Sequence, residues 1–423
     1  MSDETTKREI KSFWWAPGHE DDRWFGTLTL EPGETPNLEL IVERLGPVTD
    51  RRHLGPVIHG KDEHGKPITL LFAGSSGESI SGAVLKRTCI AGYAMLGIAL
   101  PCANSFVAHS LRFQVQHLYG WLGISGFDKD QPNTLQDHVI RYRHPDDQWF
   151  TISPELELAL HGTVQAGGGF QERRIREDAA LTFRSKAGFS LRRCNELVGA
   201  VRLLLHLAVL KKVYPVWMTA YQNGHGYKLG DQWIDQDIEI WSSILREAKS
   251  EPPIPDHWVF RFDDVRSDFA GFVRKWLDYI ENFAEALNCY SSTIYHSLTN
   301  ELAHLSLTQA LEAYHGIQFS SHHKHTFKAK IKELCDMHAA SLRDVVDNVG
   351  EFAERVLCTR NYYTHHTPKW SATGNVAENA ELWRMNEKLK LLFQMCVLSD
   401  LGIPVDRFNR LHRQLAAEVI DYA

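Results

Sequence analysis

The clearest linker signal in this chain is Glu251-Pro252-Pro253-Ile254-Pro255. Proline lacks an amide donor and fixes its own φ, so such a stretch continues neither a helix nor a central strand and reads as a linker. Before it, apolar residues come in short runs separated by Gly, Pro and Asp. After it, they recur at helical spacing. The reading that follows is α+β: a β-rich domain, sandwich- or barrel-like, over residues 1–255, then an all-α bundle over 256–423.

The β-rich part carries strand-like runs at Trp24 to Leu30, Leu38 to Val42, Ile68 to Phe72, Ser105 to His117 and Gln148 to Ile152. Turn residues such as Pro32-Gly33 punctuate them. Phe13-Trp14-Trp15-Ala16-Pro17-Gly18 precedes the first run. It reads as an aromatic plug for the core in preference to a ligand platform. From about residue 166 the pattern is mixed. Gly167-Gly168-Gly169 is a loop without the context of a phosphate cradle. Leu197 to Leu210 reads as a buried helix with His206 as a satisfied core histidine, and Asn223 to Gly230 as a hairpin or loop.

Beyond the linker, Phe269, Phe272, Val273, Trp276, Leu277 and Ile280 mark one amphipathic helix. Others are expected at 298–315, 325–337 and 380–401, the last ending at Gly402-Ile403-Pro404. Between them, Val345, Val349, Phe352 and Val356 predict one buried face on a helix within 341–368, ended by Pro368.

Composition narrows the function classes. A formal charge of −7 argues against broad, non-specific nucleic-acid binding but leaves room for a local basic groove. The 7 cysteines include no Cys-x-x-Cys pair, so neither a zinc ribbon nor a disulfide framework is expected, and a reducing cytoplasm is the simplest setting. Met1 to Lys11 is polar, unlike a signal peptide. Cys89 to Ala103 is too short for a bilayer span and contains Pro101, so it reads as core and no membrane partner is expected.

The polar end of the helix within 341–368 holds the candidate site: Arg360, Asn361, His365 and His366. Arginine grips a phosphate through a rigid fork of donors, and histidine transfers protons near neutral pH. Together they suffice to cleave RNA without a metal or other cofactor. Spacing alone decides nothing, because Arg112/His117 and Arg407/His412 repeat it. At about 100° per residue, Arg360 and His365 point roughly 140° apart on a regular helix, so whether His365 or His366 acts stays open. His322-His323-Lys324-His325 with Lys328, Lys330 and Lys332 forms a second cluster. Its lysines are candidates for RNA-backbone contact, Lys324, Lys328 and Lys330 foremost. No cysteine or carboxylate lies among its histidines, so no metal site is expected. Asp146-Asp147 and Pro255-Asp256 lack the downstream acid-x-Lys of metal-dependent nucleases.

Arg360-Asn361-Tyr362-Tyr363-Thr364-His365 resembles the Arg-Asn-x-x-x-His signature of HEPN ribonucleases, and the chain as a whole resembles the ApeA family of bacterial anti-phage proteins. Leu307 to His315 is similar to the helix that precedes the catalytic one in ApeA-like HEPN domains. Phe13 to Gly18, with Gly26 to Thr29, is similar to the start of that family's amino-terminal domain. The resemblance implies metal-independent cleavage of RNA, a tRNA or another structured RNA, by a homodimer or higher oligomer with a composite site. It implies that Arg360 neutralises the scissile phosphate and that His365 assists attack by the ribose 2′-hydroxyl. Asn361 would orient the imidazole or a phosphate oxygen, and Glu312 would orient Arg360. The β-rich domain would sense an unidentified phage trigger. The rival reading is a non-catalytic dimerisation or nucleotide-binding bundle with a partner-binding amino-terminal domain.

Overall fold

A computed structural model describes residues 7–43, 55–81, 84–127, 142–167, 174–229, 232–247, 258–319, 325–404 and 407. Two compact units are present. One comprises Met1–Arg202 with Val213–Pro252; the other comprises Leu203–Lys212 with Pro253–Ala423.

The first unit is built on strands β1 (Arg8–Trp15), β2 (Trp24–Leu30), β3 (Asn37–Glu43), β4 (Val57–Lys61), β5 (Pro67–Leu71), β6 (Gly74–Ser81), β7 (Val84–Ile90), β8 (Tyr93–Leu96) and β9 (Ala108–Val115). After the short helix α1 (Leu118–Leu122) come β10 (Gln148–Ser153), β11 (Leu156–Gly167) and β12 (Arg174–Phe189). Helix α2 (Leu191–Val209) leads to β13 (Pro215–Tyr221), β14 (Gly226–Leu229), β15 (Gln232–Asp235) and β16 (Ile238–Trp241). The β-rich half is one 14-stranded sheet in the order β10-β11-β12-β9-β13-β16-β8-β5-β4-β1-β2-β3-β7-β6, with β14 and β15 as a separate hairpin. Its neighbours pair antiparallel. Alternation explains the inward faces: Leu28 and Leu30 of β2 and Leu38 and Leu40 of β3 are buried while their neighbours face out.

The aromatic run lies inside β1 and does not precede the first strand. Trp14 is fully buried and its indole N–H donates to the Gly26 carbonyl at 3.2 Å. Opposite it in register stands Gly60 of β4. A Cβ there would lie 2.4 Å from the indole ring, so only glycine admits the tryptophan. Trp15 is buried as well, whereas Phe13 is 54% exposed and meets Phe25 edge-on. Two of the three rings plug the core.

The second unit contains α3 (Phe262–Val265), α4 (Phe269–Asn282), α5 (Ala284–Tyr295), α6 (Asn300–Gln318), α7 (Phe327–Met337), α8 (Ala339–Leu342), α9 (Val349–His365), α10 (Pro368–Ser371) and α11 (Asn379–Leu401). Helix α6 packs against α5, α7, α9 and α11. On α11 the run Leu391 to Leu398 is buried all round, as befits a central helix. The Tyr279 and Tyr314 hydroxyls both donate to Asp400 Oδ2, at 3.0 and 2.8 Å, tying α4 and α6 to α11. His206 is the satisfied core histidine expected: Nε2 lies 2.9 Å from the Tyr290 hydroxyl and Nδ1 2.9 Å from the Lys211 carbonyl. No helix among the described residues is long and apolar enough to cross a membrane.

Two expectations about this unit require correction. Helix α5 is absent from the helices expected from sequence; its Asn288, Ser291, Ser292 and Thr293 have weak helix propensity. It is held by burial of Ala286, Leu287 and Tyr290. The single helical face through Val345, Val349, Phe352 and Val356 is also absent. Val345 lies in a turn, and α9 begins only at Val349, where the Asn348 side chain accepts from the Glu351 amide at 3.2 Å. Asparagine satisfies an otherwise orphaned first-turn donor, so the chain starts a new helix there. The buried positions of α9 are Ala353, Val356, Cys358 and Thr359.

Candidate functional site

Helix α9 ends at His365, and His366 adopts the left-handed region at φ 48° with its amide donating to the Tyr362 carbonyl. That αL cap is the stop. Pro368 instead opens α10, where a missing amide costs nothing. The end of α9 is pinned from the side: the Thr359 hydroxyl accepts from the Ala377 amide at 3.0 Å, and the Tyr363 hydroxyl donates to the Ala377 carbonyl at 3.2 Å.

Arg360 follows the buried Thr359 and is half-buried. Its Nη2 donates to Glu312 Oε2 of α6 at 2.9 Å, and its guanidinium carbon sits 4.5 Å from the centre of the Phe327 ring of α7. Lys330 of α7 donates to the other oxygen, Oε1, at 3.2 Å. Three helices therefore converge on one carboxylate. The ring beneath the guanidinium and the ion pair above it restrict the arginine to one orientation. Two cations face one anion, which leaves a local positive charge on a chain of net charge −7.

Behind this cluster His304 of α6 is fully buried, with Nδ1 3.0 Å from Asn386 Oδ1. Burial pushes its pKa down to about 4, and the neighbouring positive charge of Arg360 acts in the same direction. His304 is thus held neutral at the back of the site.

The structure places the sequence candidates unequally. Arg360 and Glu312 come together, and Lys330 joins them. Asn361 is half-buried one turn before His365. His365 and His366 are both exposed at the helix end, His366 against the edge of the Tyr362 ring at 5.9 Å. Among the described residues, no hydrogen bond or ion pair joins either histidine to Arg360. Lys328 is engaged by Glu354 at 2.7 Å, and Lys324 lies outside the described residues. Phe327 and His304 were not anticipated. Each reaches the site across a helix–helix contact that no local pattern encodes.

Two family profiles match the chain: ApeA N-terminal domain 1 over residues 9–276 and Apea-like HEPN over residues 305–407. Glu312, Lys330, Arg360, Asn361, His365 and His366 all fall within the second match. No curated protein and no solved structure matches it.

Proposed function

This chain belongs to the ApeA family, and from that premise we propose that it is a metal-independent HEPN endoribonuclease of an abortive anti-phage system. Residues 256–423 would cut RNA, with tRNA or another structured RNA as substrate, in the cytoplasm. Residues 1–255 would restrain the nuclease until a phage trigger arrives. The observation that carries this reading is the shared carboxylate of Glu312. It orients Arg360 without cancelling the charge of both Arg360 and Lys330.

In this mechanism Arg360 neutralises the scissile phosphate, where negative charge builds in the transition state. His365, or His366 beside it, removes the proton from the ribose 2′-hydroxyl. The 2′-oxygen forms a bond to phosphorus as the bond to the 5′-oxygen breaks, and the leaving oxygen takes up a proton. The products are a 2′,3′-cyclic phosphate and a 5′-hydroxyl. Lys330 contributes backbone attraction, and Asn361 orients the imidazole or a phosphate oxygen. Arg360 turns inward while both histidines face solvent, which supports a composite site in which a second copy brings its own helix end alongside.

The test expresses wild type, Arg360→Ala and His365→Ala at matched levels with and without phage, and sequences total RNA at its 3′ ends. Growth arrest and discrete cyclic-phosphate ends in wild type alone support the nuclease. One observation favours the rival binding module: Arg360 is already engaged within the chain. Equal protection by all three proteins with intact RNA would establish that reading instead.

A further inference from the structure

His325, which the sequence places among histidines and lysines only, meets a carboxylate and a second histidine from other elements. His315 of α6 is only 1% exposed, and its Nε2 lies 2.8 Å from Glu333 Oε2 of α7. His325, just before α7, brings Nδ1 to 3.2 Å from the same oxygen. One ligand atom from each of the three residues lies within 4.8 Å of the other two. We propose that His315, His325 and Glu333 form a binding site for a divalent cation of the zinc class, clamping α6 to α7.

Geometry and chemistry both favour that ion. Two imidazoles and one carboxylate are a ligand set for zinc, and bonds of about 2.0–2.1 Å need donor atoms about 3.4 Å apart. The two histidine–carboxylate spacings of 2.8 and 3.2 Å would relax slightly outward, and the two imidazole nitrogens lie within 4.8 Å of each other. Imidazole nitrogen suits zinc, cobalt or nickel over magnesium or calcium, which prefer oxygen cages. The cluster is graded in depth, with His315 buried, Glu333 intermediate and His325 exposed. Nδ1 of His315 finds no partner among the described residues whichever ring nitrogen carries the proton, so it argues neither way.

The position of the cluster gives the site a consequence. His315 lies three residues after Glu312 on α6, and Glu333 three residues after Lys330 on α7. The ion would therefore bridge the same two helices as the Glu312–Lys330 pair, through residues about one turn further along each helix. It would restrain the helix that carries the carboxylate orienting Arg360. No step of the proposed cleavage passes through this site, and the proposal stands whether or not the chain is a nuclease.

The test uses the full chain stripped with EDTA, then titrated with Co²⁺ and read by visible d–d absorption, with competition by Zn²⁺. The comparison variants are His325→Ala, at an exposed position, and Glu333→Gln, which keeps the shape of the side chain; circular dichroism verifies that both fold. Wild type is expected to bind one equivalent with intense low-coordinate absorption that Zn²⁺ abolishes. Both variants are expected to bind at least about tenfold more weakly, and Zn²⁺ to raise the melting temperature of wild type alone. Absence of cobalt binding overturns the proposal. So does retention of wild-type affinity by either variant, since the ion then sits on others of the 22 histidines.

Discussion

Arg360 Nη2 and Glu312 Oε2 lie 2.9 Å apart although 48 residues separate them in the chain. The pair aligns the arginine on α9 with α6, and Lys330 on the second carboxylate oxygen extends the contact to α7. Because the arginine and glutamate side chains are 29% and 33% exposed, the pair contributes little to stability, about 0–1 kcal/mol. Its value lies in placement.

Under the proposed nuclease function, Glu312→Ala is expected to leave the fold intact and to lower RNA cleavage on the order of a hundredfold, the cost of misplacing a group that acts in the reaction. Glu312→Gln, which retains a hydrogen-bond acceptor, should lose less. Cleavage rates of the purified variants on one structured RNA, alongside urea denaturation, decide the matter. Full activity in Glu312→Ala would sink the positioning role.

His206 and His304 are buried, and burial pushes the pKa of each from the ordinary 6.5 down to about 4. The unfolded chain takes up these protons near pH 6.5, and the folded chain only near pH 4. Stability of the helical unit is thus fully present above about pH 7. It is lost as pH falls through 6.5 toward 4, at up to about 1.4 kcal/mol per pH unit for each histidine. Urea denaturation at pH 7, 6 and 5 measures the slope. A flat profile over that range contradicts neutral burial of the two rings.

Gly60→Ala puts a methyl group into the Trp14 ring, with no space to receive it. Overpacking of this kind costs about 1–3 kcal/mol. A lower melting transition, with weakened near-ultraviolet tryptophan dichroism, is the expected result. An unchanged melt would mean that β1 and β4 separate at no cost.

Asn348→Ala removes the cap of α9 and should destabilise that helix by about 1 kcal/mol. Hydrogen exchange would report it as faster exchange of the amides of Glu351 and its first-turn neighbours. Equal protection in the variant would show that packing alone sets where α9 begins.

Some of this protein was legible in order of residues. The run Trp24 to Leu30 is β2 to the residue, and the apolar spacing from Phe269 marks α4. The carboxy-terminal helix 380–401 is α11, with Gly402 as its αL cap at φ 84°. Period-2 and period-3.6 patterns are local consequences of which side of an element is buried, so one chain suffices to read them. Helical periodicity likewise predicted the angular separation that leaves Arg360 half-buried and His365 exposed.

Other features depend on which elements meet. The break at Asn348 won over a plausible apolar stripe because a side-chain cap competes with helix continuation, and only packing selects between them. Helix α5 has weak propensity and exists through Ala286, Leu287 and Tyr290 in the core. The approach of Glu312, Phe327 and Lys330 to Arg360, and of Glu333 and His315 to His325, joins residues on different helices. No spacing within one helix specifies its neighbour. Those juxtapositions were decided by the tertiary structure, because close packing of α6 against α7 and α9 determines which long side chains can reach one another.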